Sequence, residues 1–166
     1  MISKKSLDVK IVLNKSYIKA IKNSVGSNLF RNLYAYVDGK KIDMTKDGSL
    51  SCSRFVSSIL YLFKLCNDVH VTVDGAVKDM ELAQWKKIEK PRPGAVLVWE
   101  EKETIDQDGD VYPHHRHIGF YIEKNKAIST PFKKGQPILH HWTYGIKNGQ
   151  PVRKVEQIFW NKKLDK

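Results

Sequence analysis

Cysteine is scarce in this chain: there are two, Cys52 and Cys66, 14 residues apart in 166. On the continuous helix that their surroundings predict, that spacing spans about 21 Å, far beyond the roughly 7 Å limit between the α-carbons of a disulfide. They do not pair within one molecule, and a disulfide framework is excluded. Long apolar runs are missing as well. The N-terminal stretch MISKKSLDVKIVLNKSY holds none of about 7 residues or more, so a secretory signal is not expected. No segment approaches the roughly 18 apolar residues of a membrane span. The chain as written reads as soluble, cytoplasmic unless released by another route, with no internal repeat and no low-complexity segment.

What is present is apolar content of 41% and a formal charge of +11, enough for one domain over residues 1–166. The charge is uneven. Six of the 18 acids lie between Glu100 and Asp110 against the single base Lys102, which leaves +16 on the rest. Such a surface is drawn to polyanions such as an acidic cell-wall polymer. Its bases are dispersed lysines (Lys4, Lys5, Lys19, Lys22, Lys86, Lys87, Lys162, Lys163) with no arginine-rich stripe interleaved with aromatics, which argues against a nucleic-acid site.

The stretch from Gly48 to Cys66 organises the chain. Its apolar residues at 52, 55, 56, 59, 60, 62, 63 and 66 form one broad stripe of a buried helix about four turns long. Ser49 and Ser51 offer hydroxyls to the unpaired amides of the first turn. Cys52 then stands at the positive helix end, where peptide dipoles and free N–H groups favour thiolate and lower the thiol pKa below about 8.5. The same amides suit an oxyanion. Cys66, at the opposite end of the stripe, reads as core.

Elsewhere, residues 16–25 read as a short helix, and Asp38-Gly39 as a hairpin turn between 29–37 and 41–44. His70 falls in a loop as a structural histidine, before a helix from about Asp74 to Gln84. Ala95–Glu100 reads as a central strand covered on both faces, followed by an acidic loop. In that loop Asp106, Asp108 and Asp110 mimic the start of a calcium site, but Val111 and His117 replace its required Gly and Glu, so calcium is not expected. In HHRHIGFYI (114–122), a strand places His117, Gly119 and Tyr121 on one face. Gly119 signals a close backbone approach, expected from the helix start bearing Cys52.

A cysteine at a helix start followed 65 residues later by a strand histidine is an order used for thiol attack on a carbonyl, with imidazole as base and then acid. SCSRFV, PRPGAVLVWE and HIGFYIEKNKAIS, over roughly residues 48–130, resemble the three blocks of the NlpC-type cell-wall cysteine peptidases and their CHAP amidase relatives. The chain departs from that pattern at Ser51, Arg54 and Ala95, as a divergent branch would.

The resemblance implies an α+β, papain-like fold with the nucleophile-bearing helix packed on a small antiparallel sheet. A catalytic core over 48–145 would lie between an N-terminal helix and hairpin (1–47) and a closing segment (146–166). It implies hydrolysis of an amide in peptidoglycan or a related peptide by Cys52 and His117, without a cofactor. Ser129 falls at the third catalytic position, with Thr130 and His141 as substitutes, and Tyr36 and Ser53 are placed for substrate binding. Two other readings stand beside it: a metal site among His115, His117, His140 and His141, and a non-catalytic binding module of the same fold for a polyanionic partner.

Overall fold

The computed structural model describes residues 7–105 and 109–166. Helix α1 (Leu13–Asn23) leads to the strands β1 (Tyr34–Val37) and β2 (Lys40–Asp43), then to helices α2 (Cys52–Leu62) and α3 (Val73–Leu82). Strands β3 (Lys86–Lys87), β4 (Val96–Ile105), β5 (Val111–Glu123), β6 (Lys126–Ser129) and β7 (Ile138–His141) follow. The chain ends with β8 (Ile146–Lys147), β9 (Gln150–Pro151), β10 (Val155–Trp160) and a 3-10 turn. The fold is α+β. An antiparallel sheet in the order β3-β10-β4-β5-β6-β7 carries the helices, and β1-β2 and β8-β9 are separate hairpins.

Alternation along β4 explains its unbroken apolar run. Val96 and Val98 face a core shared with Tyr17 and Ile21 of α1, Phe55 and Val56 of α2, and Met80 of α3. Leu97 and Trp99 face the other way, into a smaller cluster with Ala127 that Tyr121, Trp142 and Tyr144 cover. Each face is therefore dry, and each large side chain buried there contributes about 1.5–3 kcal/mol. Helix α2 lies on the first face. Phe55 meets Phe120 of β5 edge to face at 5.4 Å and Phe30 at 5.0 Å.

Helix α2 is shorter than its apolar stripe predicts. Lys64 adopts a left-handed conformation (φ 54°), and the amide of Leu65 donates to the Leu60 carbonyl at 2.9 Å. Leu60 and Leu65 are both buried, so the stop is a Schellman-type end held by an apolar contact without glycine. Cys66 thus lies in the following loop, buried as expected, with its thiol donating to the Asp68 carbonyl at 3.2 Å. His70 is structural: its Nε2 meets Asp79 at 2.9 Å, and its amide donates to Ser57 Oγ. Asp79 also accepts from the amides of Asn67 and Asp68. These bonds hold its carboxyl below the usual range although burial opposes them.

The Asp38-Gly39 turn forms as predicted, with both residues at positive φ (48° and 76°). The acidic stretch departs from expectation. Glu101 to Ile105 continue β4 as an arm paired with the start of β5, Ile105 opposite Val111 and Thr104 opposite Tyr112. Its charges are tied across the surface: His114 Nδ1 lies 3.2 Å from Glu101, and Lys46 pairs with Asp110. Asp106 and Asp108 of the calcium-like pattern lie outside the described residues.

Gly119 is tight for a different reason than the sequence suggests. A side-chain carbon there would stand 2.7 Å from the Ile128 carbonyl oxygen and 2.7 Å from Ser129 Cβ, with the Trp99 ring at 3.1 Å. The close neighbour is strand β6, not the start of α2. Gly119→Ala is expected to destabilise the protein by about 1–3 kcal/mol, since strand backbone must give way to fit a methyl group. Urea denaturation of the two proteins measures this, and an unchanged midpoint would contradict the packing described.

Candidate active site

Cys52 is the first residue of α2, and the turn before it is set by glycines. Gly48 has φ 92° and approaches Gly135 so closely that a side-chain carbon would lie 2.5 Å from the Gly135 α-carbon. This seats the start of α2 against the β6–β7 connection. The Ser51 hydroxyl does not cap the helix. It donates back to the Gly48 carbonyl at 2.7 Å, so no side chain caps the first turn.

Strand β5 brings the partners. The sulfur of Cys52 and one ring nitrogen each of His115 and His117 lie within 4.8 Å of one another. The other end of His117 is fixed: Nε2 is 2.9 Å from Ser129 Oγ. Nδ1 is therefore the ring nitrogen available to the sulfur. Ser129 Oγ in turn meets His140 Nε2 at 2.8 Å and the Tyr144 hydroxyl at 2.9 Å. The His140 ring is held through Nδ1 on the His141 carbonyl and stacks on Tyr144 at 4.2 Å. Trp99 lies beside this chain, 5.3 Å from the His117 ring, with its Nε1 donating to the Trp142 carbonyl.

Of the predicted third residues, Ser129 contacts His117. Thr130 is buried, and its hydroxyl has no hydrogen-bond partner among the described residues. His141 turns to Thr143 through Nδ1. The four-histidine metal cluster does not assemble. His140 is engaged with Ser129 and His141 with Thr143, while Cys52 joins His115 and His117. Tyr36 is not brought to the site: it is 79% exposed on the β1-β2 hairpin. The Ser53 hydroxyl is buried and donates to the Thr72 carbonyl at 2.7 Å, so it faces the core rather than a ligand. Tyr112 and Tyr144 line the cavities here instead.

Arg153, on the segment before β10, carried no sequence motif. Its guanidinium donates to the Glu100 carbonyl at 2.8 Å and the His115 carbonyl at 2.7 Å. The positive charge acts on both members of the pair, and burial acts more strongly. Burial pushes the Cys52 thiol up to about 11, against backbone hydrogen bonding from Ile118 and Ser53 and the charge of Arg153. Burial also holds His117 well below its ordinary value, reinforced by Arg153, His115 and His140. The resting pair is thus neutral, thiol beside imidazole. The dipole at the helix start does not overcome desolvation, contrary to the expectation of a low thiol pKa.

Cys52 and His117 are each 3% exposed, yet each borders open space. A cavity of about 370 Å³ reaches Cys52, lined by Met44, Leu50, Tyr112 and Arg116. A second, of about 470 Å³, reaches His117 past Phe132, Lys133 and Lys134. His115 borders both. A larger cavity of about 780 Å³ opens beside Cys66 and the last turn of α2, away from this chemistry. No family model and no curated protein matches the sequence. No helix among the described residues is long and apolar enough to cross a membrane.

With a thiol near 11, alkylation of Cys52 by iodoacetamide is expected to rise about tenfold per pH unit between pH 7 and 9, following the thiolate fraction. Peptide mapping by mass spectrometry reads the rate. A rate already level across that window would mean a preformed ion pair and overturn the neutral resting state.

Proposed function

We propose that the protein is a cysteine hydrolase of papain-like, NlpC or CHAP type that cleaves an amide bond in peptidoglycan or a related peptide. The observation that carries the reading is the convergence of Cys52 and His117, 65 residues apart in sequence, with Ser129 on the far nitrogen of the imidazole. The resemblance of SCSRFV, PRPGAVLVWE and HIGFYIEKNKAIS to the family's blocks supports it.

The reaction runs from the neutral pair. As Sγ bonds to the substrate carbonyl carbon, His117 Nδ1 takes the thiol proton, so thiolate character develops only at attack. The carbonyl oxygen becomes an oxyanion, which backbone amides at the start of α2 and the positive charge of Arg153 stabilise. Collapse breaks the carbon–nitrogen bond, and His117 returns its proton to the leaving amine. Water then enters and gives a proton to His117 as its oxygen bonds to the acyl carbon; the carbon–sulfur bond breaks to release the acid, and His117 returns the proton to the sulfur, restoring the neutral pair. Throughout, the Ser129 hydroxyl holds Nε2 of His117, and His140 and Tyr144 hold that hydroxyl. A serine in this role needs its own orientation, because one hydroxyl rotates freely and one carboxylate does not.

The two cavities, one bordering Cys52 and the other His117, would receive substrate on either side of the pair. Lys133 and Lys134 border the His117 side and suit a substrate carboxylate, while Tyr112 and Met44 line the Cys52 side. The chain's net charge of +11 suits an anionic wall polymer.

Digests of purified peptidoglycan and of a peptide pool, read by mass spectrometry, test the reading. Cys52→Ala is expected to abolish cleavage, and a chelator is expected not to lower it. Ser129→Ala is expected to lower kcat by up to about a hundredfold with little change in KM, since it frees the imidazole without touching substrate. Cleavage that survives Cys52→Ala would sink the proposal.

A further inference from the structure

The hydrolase reaction uses Cys52 and His117 and leaves His115 without a task. His115 lies two residues before His117 on the same strand, so both rings project from one face of β5. Its ring packs against Phe132 at 5.4 Å, and no hydrogen bond to either of its nitrogens is present among the described residues. One of those nitrogens points where the Cys52 sulfur and a His117 nitrogen already meet, all within 4.8 Å. One thiolate and two imidazoles converging on a point are a ligand set for a borderline-soft divalent ion.

We propose that Cys52, His115 and His117 form a three-ligand site for a zinc-class divalent ion, and that filling it switches the thiol off. Zinc bonds at about 2.3 Å to sulfur and about 2.0–2.1 Å to nitrogen set tetrahedral ligand atoms roughly 3.5 Å apart. The ligand atoms, none more than 4.8 Å from another, stand at most about 1.3 Å beyond that spacing. On binding, the Cys52 thiol loses its proton to solvent and its sulfur lone pair goes to the metal, and the fourth position is left to water. Ser129, on the far nitrogen of His117, orients the ring as outer partners of metal-bound histidines do. Magnesium and calcium, which take oxygen ligands, are excluded by the same donor set. Metal binding follows from the ligand geometry alone, whereas its inhibitory consequence rests on the hydrolase reading.

Titrating the metal-free protein with Co2+ under anaerobic conditions tests the site, because cobalt bound to thiolate gives a charge-transfer absorption in the near ultraviolet. One ion per chain is expected with that band. Cys52→Ser is expected to remove the band, and His115→Gln to weaken binding at least about a hundredfold, beyond the 10- to 100-fold that loss of an outer partner costs. His114→Gln, on an exposed neighbour of the same strand, is expected to bind as the parent does. Circular dichroism checks that each variant is folded. Absence of the band in the parent, or parent-like binding by His115→Gln, overturns the site. In the second arm, one equivalent of Zn2+ is expected to protect Cys52 from alkylation and to stop peptidoglycan cleavage, with His115→Gln needing far more zinc. Zinc that binds without protecting Cys52 overturns the switch. A protein that binds cobalt with the thiolate band but never cleaves refutes the hydrolase reading and keeps the metal site.

Discussion

The absent side chain at Gly119 is the constraint on which the site depends. Strand β6 and the Trp99 ring crowd the space a methyl group would need. That proximity puts the Ser129 hydroxyl within 2.9 Å of His117, whose backbone pairs with Trp99 in the β4–β5 register. The polar chain from His117 on β5 through Ser129 on β6 to His140 on β7 and Tyr144 beyond it thus runs across three neighbouring strands, beside Trp99. His117 and Ser129 are buried and His140 and Tyr144 half-buried among aromatic rings, where each unmet hydrogen bond would cost more than at the surface. The helix bearing Cys52 is positioned separately, by the Gly48–Gly135 contact at its start and the Phe55–Phe120 contact further along.

Burial decides the electrostatics of the pair. A helix start stabilises a thiolate by a modest amount, typically below about 2 kcal/mol, while taking a charge out of water costs several times that. Cys52 therefore rests as a thiol, and His117 as a neutral base. Arg153 is arranged to matter at the next step. Its charge opposes an imidazolium at rest but favours negative charge on sulfur, and its own hydrogen bonds to the Glu100 and His115 carbonyls fix it in place. Under the proposed hydrolase reading, a site so built holds its thiol neutral until a substrate carbonyl gives the sulfur's electrons somewhere to go. The second imidazole on β5 would, under the proposed metal site, give the same sulfur a cation in place of a carbonyl, and the two occupants would exclude each other.

Much of this was legible in the sequence, for identifiable reasons. The apolar stripe of α2, the Asp38-Gly39 turn and the doubly covered strand at Ala95–Glu100 rest on local periodicity, which the chain carries within each segment. Cys52 and His117 were singled out because a helix start and a strand histidine are linear features, while Ser129 came only from the resemblance to the cell-wall peptidase blocks, with Thr130 and His141 beside it. His140, Tyr144 and Arg153 were missed as partners because their role is to meet a side chain from another strand, and no residue nearby in sequence marks it. The acidic arm was misread for a related reason. Its charges suggested a loop, while the pairing of Thr104 with Tyr112 and Ile105 with Val111 that makes it a strand is visible only across the hairpin.

By itself, the sequence determined where the main helix and strands arise and marked Cys52 and His117 as the candidate pair, because side-chain periodicity and residue type are local properties. Only the tertiary structure decided the protonation of those groups, the partner of the imidazole, the displacement of Tyr36 and Ser53 from the site, and the convergence of His115 on the sulfur. Each of those follows from burial and distance between segments remote in the chain, quantities that exist only once the sheet has closed against α2.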